Sequence, residues 1–149
     1  MLETLLTTTD YGRGPCSSPA TDELLVVCLC AEWCGVCREY REGFSEVARQ
    51  FPGAAFHWLD VEEHADELGD LDVENFPTLL IKRRDWVLFY GTMLPTPGLL
   101  RRTVDAFLEQ SAEQCQAYVL SGVERPGWQE DADLRRLGAE ELARICGPN

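Results

Sequence analysis

The sequence predicts an α/β domain, a mixed sheet with helices on both faces. Short apolar runs alternate along it with segments of helical period. Their order, after an unpatterned start, is β-α-β-α-β-β-α. The chain has 149 residues, 45% of them hydrophobic and 26% charged. That is the length and composition of one ordinary globular domain with a core of its own.

Residues 1–21 read as a loop-rich segment, punctuated by Gly12, Gly14, Pro15 and Pro19, with a short strand near Thr4–Thr8. The domain proper is read over 22–120. Leu24 to Cys30 is a continuous apolar run, Leu-Leu-Val-Val-Cys-Leu-Cys, as expected of a strand buried on both faces. The period then changes. Val36, Tyr40, Phe44, Val47, Ala48 and Phe51 recur at steps of three and four, the stripe of an amphipathic helix that stops before Pro52-Gly53. Gly43 inside that helix costs about 1 kcal/mol relative to Ala. A second strand is expected over Ala54–Asp60 and a short acidic helix over Glu63–Asp70. Thr78–Arg83 and Trp86–Tyr90 form a hairpin with Arg84-Asp85 at its turn. A long helix is expected from Pro97 on the stripe Leu99, Leu100, Val104, Phe107 and Leu108, continuing through Cys115, Tyr118 and Val119 to a stop at Gly122. Residues 123–131 read as a polar linker. Leu134, Leu137, Leu142 and Ile145 pattern a last helix in a C-terminal extension, 121–149, expected to pack on its own domain.

Composition excludes several classes of function. No apolar run reaches the roughly 18 residues of a membrane-spanning helix. Met1-Leu2-Glu3-Thr4-Leu5-Leu6 lacks the basic and apolar regions of a signal peptide, so the cytoplasm is expected. The formal net charge of −13 opposes nucleic acid and anionic membrane as partners. Eight acids and no Lys or Arg fall between Asp60 and Glu74. A solvated helix face accounts for such a run, and a surface selecting basic partners is the sharper alternative.

The cysteines point to chemistry. There are seven, and Cys28, Cys30, Cys34 and Cys37 fall within ten residues. Clustered cysteines in a cytosolic chain belong more often to redox or metal chemistry than to a disulfide framework. Thiol–disulfide exchange needs two thiols within bridging reach, one of them as thiolate. Cys34 falls at the strand-to-helix junction, where unpaired N–H groups and the helix dipole favour negative charge. Cys37 follows within the same turn, on the same side. Cys34 is then the exposed attacking nucleophile, and Cys37 resolves the mixed disulfide. Taken alone, CxxC serves zinc sites as readily; its placement after a buried strand and at a helix start favours redox.

Ala31-Glu32-Trp33-Cys34-Gly35-Val36-Cys37-Arg38 resembles the active-site segment of the thioredoxin family. About forty residues on, Leu71-Asp72-Val73-Glu74-Asn75-Phe76-Pro77-Thr78 resembles that family's second signature. The resemblance covers roughly residues 22–110. It implies the thioredoxin fold and a cis Pro77 facing the cysteine pair, with Trp33 shielding the site and the backbone of Phe76 pairing with substrate. Gly35 and Val36 complete the implied substrate-binding set. Read from the residues alone, Phe76-Pro77 is an ordinary trans turn before a strand.

The chain also departs from the family. Thioredoxins carry a buried Asp six residues before the first cysteine, where this chain has Cys28, and the partner Lys falls on Trp58. Glu32 and His57 are weak substitutes for the missing proton relay. Gly35-Val36 replaces the family's Gly-Pro, which implies a less reducing disulfide. Cys28 and Cys30 share one strand face. They read first as small core residues, then as partners in an alternative disulfide with the active-site pair, then as part of a four-thiolate metal site.

The function expected is a protein-disulfide oxidoreductase. It needs no bound cofactor and no metal. Its partners would be protein disulfides and, as electron donor, a reductase or glutathione, and it is expected to be a monomer. The alternative is a thioredoxin-fold binding or assembly module whose redox activity is secondary.

Overall fold

The computed structural model describes residues 24–69, 71, 73, 75–84, 86–138 and 142. The strand read near Thr4–Thr8, together with Cys16, Asp85, Ile145 and Cys146, lies outside them.

The apolar run forms β1 (Leu24–Cys30), and all seven of its residues are buried. The reason is its place in a sheet that has four strands among the described residues. β1 pairs in parallel with β2 (Ala54–Asp60) and antiparallel with β3 (Thr78–Arg83), which pairs antiparallel with β4 (Trp86–Thr92). The order across the sheet is β2-β1-β3-β4. Side chains of β1 alternate between two cores. Leu24, Val26, Cys28 and Cys30 enter the first, and Leu25, Val27 and Leu29 the second.

Three helices cover the first face. In α1 (Gly35–Gln50) the buried residues are Cys37, Tyr40, Phe44 and Val47, so Cys37 and not Val36 opens the apolar stripe. Gly43 has a reason to be glycine. A Cβ there would collide with the ring of Pro97, which opens α3 (Pro97–Glu109) and packs against α1. The long helix expected from Pro97 to Val119 is broken in two. Gln110 is extended and Ser111 starts α4 (Ala112–Val119) with a capping box. Ser111 Oγ accepts from the Gln114 N–H at 3.1 Å, and Gln114 Oε1 accepts from the Ser111 N–H at 2.8 Å. Leu108, placed on the apolar stripe by the sequence, is 41% exposed at the end of α3.

The second face is covered differently. α2 (Ala65–Leu68) is a single turn, shorter than the acidic helix expected over 63–70. Gly69 ends it at φ +65°, with the Asp133 carboxylate where a Cβ would sit. The stretch 123–131, expected to be linker, contains the turn α5 (Arg125–Trp128), with Pro126 in its first turn. α6 (Ala132–Arg136) follows, N-capped by Asp131. Leu134, Leu137 and Leu142 are buried against Leu25, Val27, Leu29, Leu80 and Val87.

Cationic side chains close three helix C-termini, where unpaired carbonyls and the dipole favour positive charge. Lys82 is 1% exposed in β3, and its Nζ donates to the carbonyls of Leu134, Arg135 and Leu137 at 2.8, 3.1 and 3.3 Å. Arg83 donates to the Gln110 carbonyl at 2.6 Å, beyond α3. Arg125 donates to the Tyr118 carbonyl at 2.9 Å, near the end of α4.

β4 lies at an edge of the sheet, and one side chain partners it. The Gln129 amide accepts from the Val87 N–H at 2.9 Å and donates to the Val87 carbonyl at 2.7 Å. Among the described residues no helix is long and apolar enough to cross a membrane.

Candidate active site

The site forms where β1 ends and α1 begins. Asp60, at the end of β2, organises the connecting loop. Its carboxylate accepts from the backbone N–H groups of Glu32, Glu62 and Glu63 at 2.9–3.0 Å. Burial would raise the Asp60 carboxyl, but the three N–H donors, with the nearby His64, outweigh it and hold it below the usual range.

Cys34 is the N-cap residue of α1 and is partly exposed. Trp33 stands beside it, 62% exposed but fixed on two sides. Its Nε1 donates to Glu62 at 2.8 Å, and its ring meets Phe76 edge-on at 5.7 Å. The Phe76–Pro77 bond is cis, as the resemblance implied and the residues alone did not. Gly35 and Val36 lie exposed on the first turn of α1.

Cys37 is buried behind Cys34 and brings the main surprise. The expected pair was Cys34 with Cys37, but Cys37 is disulfide-bonded to Cys30, the kind of alternative bridge the sequence ranked second for that cysteine, and Cys34 is a free thiol. The Cα atoms of Cys30 and Cys37 are 5.8 Å apart, inside the usual range for a bridge. The sequence placed the last residue of β1 and the first turn of α1 correctly, but not how closely the helix settles over the strand end. Cys28 extends the group inward, with its sulfur 3.8 Å from that of Cys30. Burial pushes the Cys28 thiol far up, so it stays protonated. A four-thiolate metal site is incompatible with this arrangement, because the Cys30 and Cys37 sulfurs are bonded to each other.

Tyr40 was read only as a core residue. Its hydroxyl is buried with no hydrogen-bond partner among the described residues. Burial, then the neighbouring Cys28, raises it well above its ordinary value. Of the two suggested proton groups, His57 is misplaced. It alternates with Trp58, whose ring joins the first core with Cys28, so His57 belongs to the opposite face of the sheet. Burial lowers its pKa. Glu32 is better placed: with Asp60, Glu63, His64, Arg38 and Arg41 it lines a cleft of about 500 Å³ that reaches Cys37 and Trp58.

The thioredoxin family model matches residues 17–89. Thioredoxin of Geodia cydonium is 30% identical over 78 residues, which cover 52% of this chain and 72% of that one. The chain belongs to the thioredoxin family. Thioredoxin-1 of Saccharomyces cerevisiae is 38% identical over 65 residues, and the match spans 44% of this chain and 63% of the yeast protein. Among solved structures, thioredoxin from Trypanosoma brucei brucei superposes with a TM-score of 0.54 at 26% identity, covering 60% of this chain and 78% of that one. The sheet and the helices on its two faces are thus the thioredoxin fold. The family match leaves residues 1–16 and 90–149 outside it and stops inside β4.

Proposed function

We propose that this chain is a thiol–disulfide oxidoreductase acting on protein disulfides, with Cys34 as nucleophile and Cys37 as resolving thiol. One observation carries the reading. A free, partly exposed Cys34 is the N-cap residue of α1, Cys37 lies in the first turn behind it, and Trp33, next to Cys34, meets the ring of Phe76, whose bond to Pro77 is cis.

The chemistry follows. Once the electron donor has reduced the Cys30–Cys37 bond to two thiols, the Cys34 thiolate, favoured at a helix N-terminus, attacks one sulfur of the substrate disulfide and expels the other as thiolate. The Cys37 thiolate then attacks Cys34 Sγ and releases the second substrate thiol. Trp33, Gly35, Val36, Phe76 and Pro77 form the surface on which the substrate strand lies. A reductase or glutathione returns the electrons, and the cytoplasm is the compartment this chemistry suits. Gly35-Val36 between the cysteines supports a pair less reducing than that of thioredoxin.

The test is turnover of insulin disulfides with dithiothreitol as donor, paired with titration of the protein in glutathione buffers. Cys34→Ser should cut turnover by at least about 100-fold. The wild-type midpoint should lie above the roughly −270 mV of thioredoxin. Turnover that survives Cys34→Ser sinks the reading and leaves the binding module in its place.

A further inference from the structure

We propose that Cys30 is a second resolving thiol and that Cys37 is a pivot, bonding first to Cys34 and then to Cys30. The inference rests on the function proposed above and deepens it.

Three observations support it. Cys37 is bonded to Cys30 while Cys34 remains a thiol. Cys34 is the N-cap and Cys37 the third residue of α1, positions whose groups meet across the first turn as they do in a capping box, so Cys37 reaches either partner. And the bond lies deep: Cys30 and Cys37 are each 1% exposed, whereas Cys34 is partly exposed.

The steps balance. Cys34 and Cys37 reduce a substrate disulfide to two thiols and are left joined. Cys30, as thiolate, then attacks Cys37 Sγ. The Cys34–Cys37 bond breaks, the Cys30–Cys37 bond forms, and Cys34 leaves as thiolate. The net proton transfer is from Cys30 to Cys34. No further oxidant is required, because the second step only moves a disulfide. Cys28 does not continue the series. Its sulfur sits 3.8 Å from that of Cys30 but is not bonded to it.

Two consequences follow. A disulfide from Cys37 to the partly exposed Cys34 is open to an attacking thiol at Cys34, whereas one between two buried sulfurs is shielded. The inward step therefore stores the oxidised state. It also returns Cys34 as a nucleophile with no resolver, so the next disulfide Cys34 meets stays attached as a mixed disulfide. The oxidised protein would thus be a one-cysteine reagent, and the reduced protein a two-cysteine enzyme.

The sequence offers a direct readout. Cleavage after Glu32 separates Cys28 and Cys30 from Cys34 and Cys37. The full chain is oxidised with glutathione disulfide, quenched in acid, alkylated, cut at glutamate and weighed. The expected result is two peptides held together by Cys30–Cys37, with Cys34 alkylated or carrying glutathione. Oxidised wild type should also be reduced by glutathione about tenfold more slowly than oxidised Cys30→Ala. If the wild type yields separate peptides, with Cys30 alkylated and Cys34 joined to Cys37, the pivot is wrong and the proposed function stands. If neither bond forms and Cys34 exchanges with no disulfide, both fail. The wild-type map decides the matter even if Cys30→Ala does not fold.

Discussion

The two faces of the sheet are built on different terms. The first is covered by α1, α3 and α4, and its core carries three of the four clustered cysteines. The second is covered by the single turn α2 and the short α6, and its core carries a buried lysine whose three hydrogen bonds hold the C-terminal segment in place. The first face is made of long helices that supply their own apolar stripes. The second relies on a cation reaching from the sheet to the end of α6. A face assembled from short elements needs a polar anchor, because a turn of five residues buries too little to dock alone.

The largest expected effect breaks that anchor. Lys82→Met keeps the apolar stem but removes the three donated bonds, and should cost about 2–4 kcal/mol in urea unfolding. Amide exchange should quicken first in α6. Cys34 should alkylate at the wild-type rate; if its reactivity falls as α6 loosens, the two faces are not independent.

A smaller effect sharpens the account of the first face. Ala normally stabilises a helix over Gly by about 1 kcal/mol. At Gly43 the sign should reverse, because the added methyl must displace Pro97, and Gly43→Ala should destabilise by about 1–3 kcal/mol. A gain in thermal midpoint would show that α1 and α3 are less tightly apposed.

The smallest effect concerns the loop joining the faces. Asp60 has its carboxyl pKa lowered in the folded state, where backbone N–H groups overcome the opposing effect of burial. Its contribution is therefore fully present above the ordinary carboxylate value of about 3.9 and is lost as pH falls through the lower folded value. The difference in stability between wild type and Asp60→Asn should shrink as pH is lowered from 5 towards 2. A constant difference across that range would contradict the clamp.

The first face was largely legible in the sequence because its information is local. An apolar run gave β1, a three-and-four period gave α1, and two short signatures gave the family. Ser111 and Gln114 also lay in plain view as a capping box, but an apolar stripe running past them suggested one long helix. What stayed hidden depends on residues far apart in the chain. Nothing near Lys82 announces that its partners lie 52 to 55 residues on. The Cys30–Cys37 bridge is the opposite case: its cysteines are seven residues apart and the sequence left it open as an alternative, but the choice between Cys30 and Cys34 turns on how α1 sits over the end of β1.

The Gln129 amide has a consequence for how molecules of this protein meet. An edge strand displays unpaired backbone groups on which a second chain can align and extend the sheet. At Val87 that invitation is already answered, since a primary amide presents one donor and one acceptor in the order a neighbouring peptide group would. A glutamine from the same chain acts there as a one-residue stand-in for a fifth strand, and stops sheet growth between copies at that rung.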